Sequence, residues 1–243
     1  MRVLLVDDER LARAELRRLL QAHPEIDIVG EAVDAADGLR QITELGPDLV
    51  FLDVQMPGGS GFDLLAALDA APDVIFTTAY DTYALQAFEV NALDYLQKPV
   101  QAARLAAALD RCAQRRGREP ARRPQTDRKL FLRDGERCWF VALRDVRILS
   151  AEGNYTRVHF GAQRPLVLRS LKQFEEALDP QCFFRASRSH IVNLEHVQRV
   201  TPNEAGGFDL LLSGGDTVNV ARRRAAEFRQ LAMASFCCHT ACL

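Results

Sequence analysis

Three short apolar runs in this 243-residue chain lead into charged residues. Val3-Leu4-Leu5-Val6 stops at Asp7 and Asp8, Leu49-Val50-Phe51-Leu52 stops at Asp53, and Leu93-Asp94-Tyr95-Leu96 continues to Lys98-Pro99. A fourth run, Val74-Ile75-Phe76, leads into Thr77-Thr78-Ala79. Helical patterns separate the runs. This alternation predicts a parallel sheet built from βαβ units. Strands are expected near 2–7, 26–31, 48–53, 73–78 and 93–97, and helices near 10–22, 35–45, 60–70, 81–90 and 101–114. In such a sheet the carboxyl ends of the strands share one edge, where ligands bind. Three carboxylates, a hydroxyl and an amine are therefore expected in one crevice.

Clustered carboxylates repel one another. At about 4 Å and an effective dielectric near 20, one pair costs roughly 4 kcal/mol. Such a site binds a proton or a cation. An all-oxygen ligand set in a phosphate-handling site suits Mg²⁺. A carboxylate there can attack phosphorus and become an aspartyl phosphate. The metal, Lys98 and the Thr78 hydroxyl are placed to hold the transferred oxygens.

Leu5-Val6-Asp7-Asp8-Glu9, Phe51-Leu52-Asp53-Val54-Gln55-Met56-Pro57-Gly58, Phe76-Thr77-Thr78-Ala79-Tyr80 and Asp94-Tyr95-Leu96-Gln97-Lys98-Pro99 occur in order. On these motifs residues 1–114 resemble a two-component response-regulator receiver. The resemblance implies a doubly wound (βα)5 fold and a sensor histidine kinase as phosphoryl donor. It implies Asp53 as phosphoacceptor, and Mg²⁺ held by Asp7, Asp8, Asp53 and the backbone carbonyl of Gln55. Lys98, ahead of a cis Pro99, would contact the phosphoryl group. Thr78 and Tyr95 would be the hydroxyl and aromatic pair that move on activation. Gly58-Gly59-Ser60-Gly61 reads as a flexible loop, not a phosphate loop, because no Lys-Ser/Thr follows it.

The net charge of −2 hides an asymmetry: residues 1–110 carry 8 Lys/Arg against 19 Asp/Glu, and residues 111–243 carry 23 against 14. A basic second half suggests a polyanionic partner. From Lys129 onward the balance is only 16 against 12, so charge alone does not identify a nucleic-acid binder. No apolar run is long enough to span a membrane, and the start of the chain has no signal-like segment. A cytoplasmic protein without a membrane partner is expected, with its six cysteines reduced. Residues 237–243, with Cys237, Cys238 and Cys242, read as an exposed Cys-rich tail whose role stays open.

Residues 115–128 are basic, carry Gly117, Pro120 and Pro124, and read as a linker. Beyond them, short alternating runs and the turns Asp134-Gly135, Gly153-Asn154 and Gly214-Gly215-Asp216 predict a mainly β domain over 129–236. Helices are expected only near 171–178 and 222–234. No helix-turn-helix pattern follows the linker.

This stretch resembles a LytTR domain, a β-rich DNA-binding module, through Ala151-Glu152-Gly153-Asn154-Tyr155-Thr156-Arg157-Val158, Arg169-Ser170-Leu171-Lys172, residues 183–193 and residues 218–223. The whole chain is thus similar to the LytR/AlgR-type response regulators. The resemblance implies double-stranded DNA, as promoter repeats, contacted by Asn154, Tyr155, Ser187, Arg188 and Arg222, with Lys172 and Arg223 on phosphates. It also implies a homodimer when phosphorylated, a role in transcription regulation and no enzymatic output. Two other outputs have a basis in the residues. Gly214-Gly215-Asp216 is superficially similar to the Gly-Gly-Asp motif of diguanylate cyclases, though about 110 residues look too few for that enzyme. A basic β surface can also bind RNA.

Overall fold

The computed structural model describes residues 1–79, 94–117 and 128–236. The helix expected near 81–90, residues 118–127 of the connector and the Cys-rich tail lie outside the described residues. The chain divides into two compact units, whose described parts are 1–79, 94–117 and 128–141 for the first and 142–236 for the second.

The first unit runs β1 (Arg2–Val6), α1 (Arg10–Leu20), β2 (Asp27–Ala32), α2 (Ala35–Leu45), β3 (Leu49–Asp53), β4 (Gln55–Met56), β5 (Gly59–Ser60), α3 (Gly61–Ala67), β6 (Asp73–Thr78), β7 (Asp94–Gln97) and α4 (Ala102–Gly117). Its sheet has the order β2-β1-β3-β6-β7, and all four pairs are parallel. Leu4, Val6, Val50, Leu52 and Phe76 enter one core, while Val3, Leu5, Phe51 and Ile75 enter another. This is the period-two split of strands buried on both faces. The strand order reverses between β1 and β3, so Asp7 and Asp53 flank the crevice where such sheets bind ligands.

Local chemistry explains the helix boundaries. Asp34 caps α2 by accepting from the Asp37 N–H at 2.8 Å, and Gly46 ends it at φ 54°. Ser60 and Asp63 form a reciprocal capping box on α3. Residues 58–61, read as a flexible loop, carry regular hydrogen bonding: β4 pairs with β5, and the Gly61 N–H donates to Val54 O at 3.0 Å. Gly61 serves close approach, because a Cβ there would meet Asp53 O at 2.3 Å. The last helix continues to Gly117, past the expected start of the connector. Arg115 and Arg116 are good helix formers, and the next residue is a glycine.

A hairpin of β8 (Lys129–Asp134) and β9 (Arg137–Ala142) turns at Gly135, φ 62°. Residues 128–141 pack as part of the first unit, where the sequence suggested a second domain from Lys129. Phe131 stacks on Phe62 at 6.2 Å and 11°, and Phe140 meets its edge at 5.1 Å. The Ala71 N–H donates to Lys129 O at 2.9 Å, and Lys129 Nζ lies 3.0 Å from buried Asp73. Arg133 pairs with Asp63 at 2.5 Å. Leu130, Phe131 and Leu132 are buried in succession, so both faces of β8 are covered there, and the apolar run does not say against what.

The second unit is mainly β. One antiparallel sheet, ordered β12-β11-β10-β14-β13, comprises β10 (Val146–Glu152), β11 (Tyr155–Phe160), β12 (Leu166–Val167), β13 (Phe183–Arg185) and β14 (His190–Asn193). The other comprises β15 (Val197–Pro202), β16 (Phe208–Leu212) and β17 (Thr217–Val220) in sequential order. Ile148, Phe184 and Val192 of the first sheet share a core with Leu210, Leu212, Val218 and Val220 of the second. Phe228 closes that core from α6 (Ala225–Phe236), while α5 (Leu171–Ala177) buries Leu171 and Phe174. A 3-10 turn over Arg222–Arg224 precedes α6, where a continuous helix from 222 was expected.

Candidate functional sites

In the first unit Asp53 ends β3 and Asp7 follows β1; both are buried, and Asp8 is exposed. Ligand oxygens of Asp7, Asp8 and Asp53 all lie within 4.8 Å of one another. Lys98 reaches in from the loop after β7, beyond which the Lys98-Pro99 peptide is cis. Its Nζ is 2.7 Å from Asp53 Oδ2, 2.9 Å from Asp7 Oδ2 and 3.9 Å from Glu9. The Gln55 N–H donates to Asp53 Oδ1 at 3.1 Å, and the Glu9 N–H to Asp7 Oδ1 at 2.9 Å. Thr78 is buried at the end of β6, and its carbonyl accepts from the Lys98 N–H at 2.8 Å. Tyr95 is buried in β7. The strand ends thus bring Asp7, Asp8, Asp53, Lys98 and Thr78 to one edge.

Burial pushes the Asp7 carboxyl up, outweighing the Lys98 hydrogen bond and charge that favour its ionised form. Burial is also the largest influence on Lys98 and alone would lower its pKa. The hydrogen bonds and charges of Asp53 and Asp7 together raise it instead. The ammonium therefore balances two buried carboxylates and leaves exposed Asp8 beside them. This crowded oxygen set fits a hard divalent cation.

In the second unit Gly153 and Asn154 form the two-residue turn between β10 and β11, with Gly153 at φ 62°. Asn154 is exposed, and Tyr155 is 44% exposed. Ser187 and exposed Arg188 occupy the loop from β13 to β14, and this loop is tied to β10 by the Ala151 N–H donating to Ser189 O at 2.8 Å. Arg222 and Arg223 are exposed on the 3-10 turn. Ser187, Arg188 and Arg223 line one hollow of about 410 Å³ together with Arg185, Arg224 and Glu227. Lys172, in the first turn of α5, lies 3.7 Å from Glu176, and Asn154 and Tyr155 occupy the hairpin tip; none of these three lines the hollow.

Two families match the chain. The response regulator receiver domain covers residues 3–110, and the LytTr DNA-binding domain covers 136–233. The transcriptional regulatory protein BtsR of Escherichia coli K12 is 38% identical over 233 residues, 92% of this chain and 95% of that protein. The chain belongs to the LytTR-type response regulators. Similar proteins include an uncharacterized response regulatory protein of Vibrio cholerae, 36% identical over 94% of this chain and 97% of its own. The sensory transduction protein LytT of Enterococcus faecalis is 32% identical over 95% and 98%.

For this LytTR-type regulator the cyclase alternative falls away. Gly214 and Gly215 are a hairpin turn at φ 99° and 86°, and Asp216 is engaged by Arg147 at 3.5 Å and Arg164 at 3.1 Å. The LytTr match begins at residue 136, inside the hairpin that packs with the receiver. Sequence reasoning overlooked two residues. Leu168 is a large apolar side chain left 77% exposed. Arg185 is surrounded by acceptors, although its only local signal is a charge following Phe183 and Phe184.

Proposed function

We propose that this chain is a phosphorylation-controlled transcription regulator, with Asp53 accepting a phosphoryl group from a sensor histidine kinase. The supporting observation is the cluster of Asp7, Asp8 and Asp53 closed by Lys98 at 2.7 and 2.9 Å, in a chain whose other part matches a DNA-binding family. An Asp53 carboxylate oxygen attacks phosphorus, the phosphorus–nitrogen bond of the donor phosphohistidine breaks, and the imidazole departs with that electron pair. Asp7, Asp8, Asp53 and the Gln55 carbonyl would hold Mg²⁺, which neutralises phosphoryl oxygens when bound. Lys98 releases its contact with the Asp53 oxygen and turns to the phosphoryl group. Thr78 then supplies a hydroxyl hydrogen bond, and Tyr95 changes burial as the neighbouring strand adjusts. Phosphorylated chains pair as homodimers in the cytoplasm and bind repeated half-sites in double-stranded promoter DNA. Asn154, Tyr155, Ser187, Arg188 and Arg222 contact bases, and Lys172 and Arg223 contact phosphates.

An acyl-phosphate donor with Mg²⁺, read by intact mass and peptide mapping, tests the assignment. A single phosphoryl group on Asp53 is expected, absent in Asp53→Asn and absent without divalent cation. Undiminished labelling of Asp53→Asn overturns it.

A further inference from the structure

Arg185 ends β13 with its side chain 19% exposed, and each of its three guanidinium nitrogens is engaged. Nε donates to Ser187 O at 2.7 Å, Nη2 to Arg188 O at 2.6 Å, and Nη1 to Glu175 Oε2 on α5 at 3.0 Å. Its own carbonyl accepts from Arg224 Nε at 3.0 Å. Arg224 is anchored in turn, 5.4 Å over the Phe184 ring and 2.9 Å from Glu227. One residue therefore ties together α5, the Ser187–Arg188 loop and the turn carrying Arg222 and Arg223.

We propose that Arg185 is a positioning residue for DNA recognition, which splints the backbone of Ser187 and Arg188 so that the exposed Arg188 side chain leaves the surface in one direction. The inference rests on the proposed base-reading role of Arg188. A bidentate base contact tolerates little error in where its guanidinium starts, and a preorganised loop removes the ordering cost from binding. The planar fork of an arginine can hold two carbonyls at fixed spacing, which the point charge of lysine cannot do. Arg185 spends its nitrogens within the protein and makes no base contact. Glu175 balances its charge, so the splint adds little to the long-range attraction of DNA.

The test uses the full chain and a duplex selected from a random library with the wild-type protein. Wild type, Arg185→Lys, Arg188→Ala and the double variant are titrated on that duplex and on a scrambled one, with thermal unfolding as a check. Arg188→Ala is expected to lower discrimination about 5- to 150-fold, the worth of one bidentate base contact. Arg185→Lys is expected to lose a large part of the same factor while binding scrambled DNA as wild type does. The double variant is expected to lose far less than the product of the two single losses, because Arg185 acts mainly through Arg188. Losses that multiply in the double variant, unchanged discrimination in Arg185→Lys, or equal weakening on both duplexes each overturn the proposal. Arg188→Ala with native discrimination instead removes the base-reading role beneath it, a distinct pattern. If Arg185→Lys does not fold, Arg185→Gln, which has no charge to bury, takes its place with the same outcomes.

Discussion

Lys98 shows how much depends on single side chains. It is the cation facing Asp7 and Asp53, which are 1% and 5% exposed. Lys98→Met leaves two buried carboxylates with no ammonium between them. In chelator, urea unfolding at pH 7 is expected to show a loss of about 3–5 kcal/mol, the usual cost of breaking a buried pair on one side. The sign of its pH dependence follows from Asp7, whose carboxyl is already held above its ordinary range by burial in the folded state. Stability from such a group is fully present below its unfolded pKa and is lost as pH rises through the folded one. Without Lys98 the folded value climbs further, so the penalty at pH 5 should be smaller than at pH 7. Equal penalties at the two pH values would count against this account. On the DNA side, Lys172 has a side chain 83% exposed. Lys172→Ala is expected to weaken specific and scrambled duplexes alike and to reduce the salt slope by about one unit. A loss confined to the specific duplex would place Lys172 on a base. The residues of the receiver crevice were legible in sequence because each stands next to a strand end that its apolar run announces. Arg185 was not, since its acceptors are backbone carbonyls and a glutamate brought near only by folding.

Among the elements, the hairpin of β8 and β9 departs furthest from the sequence expectation. Phe131 is 4% exposed and lies between Phe62 and Phe140. Phe131→Ala is expected to destabilise the first unit by about 3–5 kcal/mol, as for other buried aromatics cut to alanine. Arg133→Ala breaks an ion pair whose side chains are 39% and 56% exposed, and is expected to cost under about 1 kcal/mol. Chemical unfolding followed by a receiver-specific probe distinguishes the two. Comparable losses would mean that the ion pair, not the aromatic stack, holds the hairpin. The hairpin was legible as an element from Asp134-Gly135, and its partner was not. The apolar run of β8 reports burial, while its partners, the Phe62 ring against Phe131 and the Ala71 backbone at Lys129, lie far away in sequence. The Gly58–Gly61 segment shows the converse: composition suggested freedom, whereas the capping box and the backbone approach to Asp53 impose order.

At the scale of the whole molecule, phosphorylation is expected to strengthen self-association by roughly 5- to 150-fold, a coupling of about 1–3 kcal/mol. Sedimentation with and without a bound phosphoryl mimic checks this, and an unchanged dimer constant with the mimic bound leaves the switch without support. Periodicity and turn residues alone determined the two fold classes, the strand order's shared carboxyl edge and the acidic crevice. These properties are local: a buried strand must be apolar, a left-handed turn favours glycine, and a parallel sheet places successive strand ends together. Tertiary structure alone decided that the first hairpin packs with the receiver, that Gly61 serves close approach and that Arg185 splints the Ser187–Arg188 loop. Each of those depends on which distant atoms become neighbours, and neither the burial pattern of a strand nor the composition of a loop contains that information.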